Sequence, residues 1–113
     1  MATKDPARRR EHNLRYYEGG GKERIIERNR ANRARNKEYV RAIKAKAPCA
    51  DCGKKFPPVC MDFDHLPGEE KDRNVSNLVG AGASIARLDT EIAKCEVVCA
   101  NCHRIRTEDR GDY

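Results

Sequence analysis

Tryptophan is absent from this 113-residue sequence, and two Phe and four Tyr are its only aromatic side chains. So few rings argue against a platform on which single-stranded bases stack. No apolar run approaches the roughly 18 residues of a membrane span, and no charged-then-apolar leader opens the chain. The expectation is a protein with no membrane partner, located in the cytoplasm. Apolar residues are also too few for a large core. The stretch from Pro48 to about Glu108 is near the size at which a chain needs a disulfide, a metal or a partner to hold it together.

Charge is plentiful and unevenly placed. Residues 1–47 carry 15 Lys/Arg against six Asp/Glu, a net of +9, whereas residues 48–113 carry nine against 12, a net of −3. A basic segment joined to a mildly acidic body fits a polyanion binder with a cation-requiring site; a solvated charged tail is the plain alternative. Two parts are therefore expected: a basic helical arm over 1–47, hinged near 19–21 at Gly19-Gly20-Gly21, and a body over 48–113.

Within the arm, Asp5-Pro6 can start a helix as N-cap and first helical residue. Lys22 to Lys46 contains no Gly or Pro and is rich in Arg, Lys, Glu and Ala, which predicts a second helix. Its stripe of Tyr39, Val40, Ile43 and Ala47 predicts docking of the last turns on the body. Upstream, Arg28, Arg30, Arg33 and Arg35 have no apolar face to bury and are candidate phosphate contacts. Asn29, Asn32 and Asn36 share a face that is either solvent-facing or base-reading.

In the body, Val59, Met61 and Phe63 alternate with Cys60, Asp62 and Asp64, predicting a strand that sends the first three to a core and leaves Asp64 at its end on the polar face. Leu66 to Gly82 reads as a long loop with a short turn around Leu78-Val79. Ser84 is a candidate N-cap for a helix with Ile85, Leu88, Ile92 and Cys95 on one face, which makes Cys95 a core thiol. Glu96-Val97-Val98 is β-prone and is expected to pair with the first strand. A last helix is expected from Ala100 through Arg106, ending near Gly111.

Four of the six cysteines form two CxxC pairs, Cys49/Cys52 and Cys99/Cys102, with 46 residues between the pairs. Each CxxC turn offers two thiolates from one bend, and two such turns complete the tetrahedron that a structural Zn²⁺ prefers. The separation exceeds that of a zinc ribbon, so a strand, a loop and a helix must lie between the halves. The alternatives are two disulfides, which would fit an exported chain, or redox CxxC pairs. Covalent haem attachment through Cys99-Ala100-Asn101-Cys102-His103 also normally needs export, and it would leave Cys49 and Cys52 without a purpose.

The order of strand, Asp64-His65, connection, strand, CxxCH and helix resembles the HNH endonucleases, in particular their four-cysteine zinc subgroup. The resemblance covers roughly Cys49 to Thr107. It is close to short HNH proteins encoded by bacterial viruses in "DFDHLPGEEK", "NVSNLV" and "EIAKCEVVCANCHRIRT". It implies a small α+β, ββα-metal (treble-clef-like) domain stapled by zinc, with the basic helical arm in front. By the same resemblance His65 is the general base, while Asp64 and His103 hold a catalytic divalent cation (Mg²⁺, Mn²⁺ or Ni²⁺).

The family's middle Asn falls on Lys94, which can donate to backbone carbonyls but cannot accept. Asp62 shares a face with Asp64, either supporting the cation ligands or facing solvent. Arg104 and Arg106 on the last helix are candidate contacts to flanking phosphates, as are Lys71 and Arg73 in the loop; solvated helix charges are the alternative. His12 has no partner motif.

The function implied is hydrolysis of DNA phosphodiester bonds, most simply in a duplex. One active site cuts one strand, so a monomer nicks and a homodimer would be needed for a double-strand break. A virus-encoded protein would act in the host cytoplasm. The rival reading is a zinc-stabilised nucleic-acid-binding module without catalysis.

Overall fold

In a computed structural model, residues 17–111 are described, together with Ala7, Arg10, Leu14 and Arg15. The expected helix start at Asp5-Pro6, and His12, lie outside the described residues. The chain divides into two compact units, Met1–Ala31 and Asn32–Tyr113. In the first, the backbone leaves helical geometry at Gly19 and Gly20; the φ of +87° at Gly20 is one that a side chain would resist.

Helix α1 spans Lys22–Lys46, as its composition predicts, with Glu23 in the first turn and Lys44 and Lys46 in the last, each on the side the helix dipole favours. Among the described residues no helix is long and apolar enough to cross a membrane.

The second unit is a small α+β structure. Strands β1 (Met61–His65) and β2 (Cys95–Cys99) form a two-stranded antiparallel sheet, with Met61 opposite Cys99, Phe63 opposite Val97 and His65 opposite Cys95. Helices α2 (Val75–Gly80) and α3 (Ile85–Ile92) lie between the strands in sequence, and α4 (Ala100–Asp109) follows β2 directly. Two small cores hold the unit. Val75, Leu78, Val79, Ala83 and Leu88 form one, with Tyr39, Val40 and Phe63 packed on it; Cys49, Met61, Val98 and Cys99 form the other. Each fully buried Leu contributes about 1.5–3 kcal/mol, so the apolar gain is modest.

Several expectations are met locally. The Ser84 hydroxyl accepts from the Arg87 N–H at 3.2 Å and starts α3. Tyr39 and Val40 dock α1, and the Tyr39 hydroxyl hydrogen-bonds the Asp89 carboxylate.

Others are corrected. Pro58–Cys60 is a single tight turn, closed by the Cys60 N–H on the Pro57 carbonyl at 2.9 Å, so the strand begins only at Met61. Val59 is therefore 85% exposed and belongs to no core. Asp64 is not at a polar surface but 5% exposed. Val75–Gly80 is a helix rather than a loop, six residues whose pattern is too short to register but which buries Val75, Leu78 and Val79. Helix α3 ends at Ile92, placing Cys95 at the start of β2, where it packs on the first core; burial, with the Glu91 and Asp64 charges, pushes its thiol up to about 11. Asn36 neither faces solvent nor reads bases: it is wholly buried, and its amide donates to the Ala83 carbonyl at 3.0 Å.

Candidate metal centre and histidine cleft

The first CxxC is a turn. The Gly53 N–H returns to the Cys49 carbonyl at 2.8 Å, with Gly53 at a φ of +74°, and the Ala50 N–H ties the turn to the Val97 carbonyl of β2 at 2.9 Å. The second pair sits where β2 becomes α4: Cys99 caps that helix, its sulfur accepting from the Cys102 N–H at 3.4 Å. The Cys99 N–H donates in turn to the Cys49 sulfur at 3.3 Å, joining the halves.

As a result the Sγ atoms of Cys49, Cys52, Cys99 and Cys102 all lie within 4.8 Å of one another, positioned to bind a metal ion. Their acidities are split. Burial pushes the Cys49 thiol up, but N–H groups of Cys52, Cys99 and Asp51, with the Cys52 side chain, bring it down to about 6. Hydrogen bonding with Cys99, then burial and the nearby Cys49 and Cys52 sulfurs, pushes Cys102 up to about 12. Four crowded sulfurs cannot all be anionic without a cation among them.

Helix α4 carries its side chains back over β1. His103 Nδ1 lies 3.0 Å from Asp62 Oδ2, and its Nε2 lies 3.5 Å from Asp64 Oδ1. Asp62 thus meets the ring of His103 and orients it. Asp64 has two further partners. Arg106 Nη1 donates to its Oδ2 at 2.8 Å, and Arg110 forks across both oxygens at 2.9 Å. Burial disfavours the Asp64 carboxylate, yet these two guanidiniums and His103 hold its carboxyl below the ordinary range.

Arg106 also reaches Asp51 and Glu96, so three carboxylates occupy a side chain that the sequence offered as a phosphate contact. Arg35 likewise bonds inward, to the Asn36 amide oxygen and the Ala83 carbonyl. Arg28, Arg30 and Arg104 are exposed, and Arg33 is half-buried.

At the end of β1, His65 Nε2 lies 2.7 Å from Oε1 of Glu91, a carboxylate 2% exposed. Glu91 also accepts from the Asp72 N–H and from Lys94 Nζ. Burial works against its ionisation, but these hydrogen bonds outweigh it and hold its carboxyl below the ordinary value. Lys94 Nζ donates as well to the Glu70 carbonyl at 2.7 Å, and the Lys94 carbonyl accepts from the Leu66 N–H at 2.9 Å. Lys94 therefore pins the backbone that follows His65 from two atoms. Lys71 and Arg73, in that same loop, are exposed.

The sequence does not single out Glu91, although the acid stands beside Leu88 and Ile92 on the apolar side of α3, an unusual place for a carboxylate. Nor does it single out Arg110, which follows His103 and Arg106 at i+7 and i+4 and caps the last helix.

His65 and His103 open into one cleft of about 330 Å³ beside β1, which Asp62, Lys44, Asn74 and Ser76 also line. Comparison of the chain with protein-family models, curated proteins and solved structures finds no match. The site is therefore read from its own chemistry.

Proposed function

We propose that this chain is a metal-dependent DNA endonuclease of the HNH type, built on a ββα-metal domain whose four cysteines hold a structural Zn²⁺. The observation that carries the reading is the cleft shared by His65 and His103, with His103 Nε2 3.5 Å from Asp64. The zinc assignment rests on fit. A zinc–thiolate length of about 2.3 Å makes a tetrahedron with edges of about 3.8 Å, and four sulfurs within 4.8 Å need close only slightly to reach it.

With Nε2 donating to Glu91, His65 Nδ1 is the acceptor left to take a proton from water as it attacks phosphorus. The neighbouring carboxylate stabilises the imidazolium that results. Asp64 and His103 would hold a divalent cation (Mg²⁺, Mn²⁺ or Ni²⁺), which would neutralise charge building on the phosphorane and the departing 3′ oxygen. Asp62 would keep the His103 ring turned for that task. Duplex DNA is the proposed partner, with the basic arm adding salt-sensitive, sequence-tolerant affinity. One such site nicks, and a double-strand break would take a homodimer.

One observation favours the rival, a DNA-binding zinc module without catalysis: Arg106 and Arg110 already neutralise Asp64. The test is incubation of supercoiled plasmid with the zinc-loaded protein and each cation, beside His65→Ala. Nicking that His65→Ala abolishes while DNA binding persists is the expected result. Binding without nicking in any of the three cations would leave the module.

A further inference from the structure

One wall of the cleft comes from α1, an element remote in sequence from both histidines. Lys44, in the last turn of α1, lines the cleft together with the neutral polar residues Asn74 and Ser76. Its ammonium stands 5.2 Å from the centroid of the Phe63 ring, held over the aromatic face. Lys44 is the one Lys or Arg among the residues lining the cleft, and among the described residues no carboxylate pairs with it.

Lys37 lines the adjoining pocket with Lys44 and Ser76 but not the cleft itself, and Arg106 and Arg110 are engaged by Asp64. Asp62 also faces the cleft, but its carboxylate is met by His103. An unpaired ammonium, an amide and a hydroxyl around one small opening form the donor set that grips a phosphate oxygen without reading a base. The volume, at the low end for ligand clefts, suits one phosphate with its sugar rather than a stacked base.

We infer that Lys44, with Asn74 and Ser76, forms a phosphate subsite that seats the DNA backbone beside the bond facing His65; this rests on the nuclease reading above. Lys44 follows Val40 by four residues, about one helical turn, so the docking of the end of α1 is also what delivers the charge. The helix and the cleft are thereby one device: the arm's last turn completes the substrate site.

The experiment uses the full-length, zinc-loaded chain. Binding of a short fluorescent duplex is followed by anisotropy from low to high salt, in a His65→Ala background that cannot cut. Lys44→Met should bind several-fold more weakly, with a log–log salt slope shallower by about one, the mark of one lost phosphate contact. Lys44→Arg should keep the slope. Lys44→Gln repeats the test with a polar tip should the Met variant melt early. With His65 intact, Lys44→Met should raise KM for nicking more than it lowers kcat. Unchanged affinity and slope in Lys44→Met and Lys44→Gln would overturn the subsite even if the wild type nicks. A chain that never nicks, but whose slope falls with Lys44, would retain the subsite and lose the nuclease.

Discussion

His65 and Glu91 face each other across 2.7 Å, one on β1 and the other on the inner side of α3, and the carboxylate has almost no contact with solvent. A buried carboxylate on one imidazole nitrogen fixes the tautomer and the ring plane and leaves the opposite nitrogen to act. Glu91→Gln keeps the shape but removes the ionised partner, and should lower nicking at least about tenfold, roughly 1.4 kcal/mol of barrier. ¹⁵N NMR of His65 should report the loss of the Nε2–H tautomer. Full activity with an unchanged tautomer would remove Glu91 from the mechanism. Glu91→Ala should also cost stability, about 3 kcal/mol, because Lys94 and His65 lose a buried partner.

Cys102→Ser should unfold the second unit, since the sulfurs join the turn at Cys49 to the start of α4 and metal binding and folding are one equilibrium in such modules. Circular dichroism with metal analysis decides it: a well-folded, zinc-free variant would contradict the stapling role.

Zinc affinity should rise with pH, and the sign follows from the sulfurs. Cys102, held near about 12, is protonated throughout the neutral range and must surrender its proton on binding. Cys49 is already a thiolate at neutral pH, but below about 6 it too takes up a proton that competes with the metal. The plot of log affinity against pH should therefore steepen by about one proton as pH falls through that value. Competition titrations with a chromophoric chelator would measure it, and a constant slope would refute the split.

Arg110→Ala removes the guanidinium fork from Asp64 while Arg106 stays. With one positive charge fewer beside the carboxylate, Mn²⁺ should bind the zinc-loaded protein more tightly, by about tenfold, as electron paramagnetic resonance of free Mn²⁺ would read. Equal affinity would mean that Arg110 does not compete with a cation.

Asn36→Leu should lower the melting temperature by several degrees, equivalent to about 1–3 kcal/mol. The substitution removes a buried donor to the Ala83 carbonyl and the part-buried acceptor of Arg35. An unchanged melt would show that α1 is docked by Tyr39 and Val40 alone.

Much of this architecture is written in local sequence. The bounds of α1 follow from a run without Gly or Pro, the start of α3 from Ser84, and the paired strands from β-prone stretches on either side of the helices. The two CxxC turns announce a four-sulfur cluster because each needs only its own few residues to form. These features have local causes, so a local pattern reveals them.

What tertiary structure alone decided is which side chains meet. Asp64 lies 46 residues from Arg110, His65 lies 26 from Glu91, and Asn36 lies 47 from Ala83. None of these pairs has a signature in spacing, because each exists only once the end of α1, α3 and α4 are packed with the two-stranded sheet. Burial then changes the chemistry of the groups it joins: it turns an acid on an apolar helix face into an anchor for an imidazole. Likewise an aspartate expected at a polar surface becomes an enclosed anion held by two guanidiniums, because α4 lies over it.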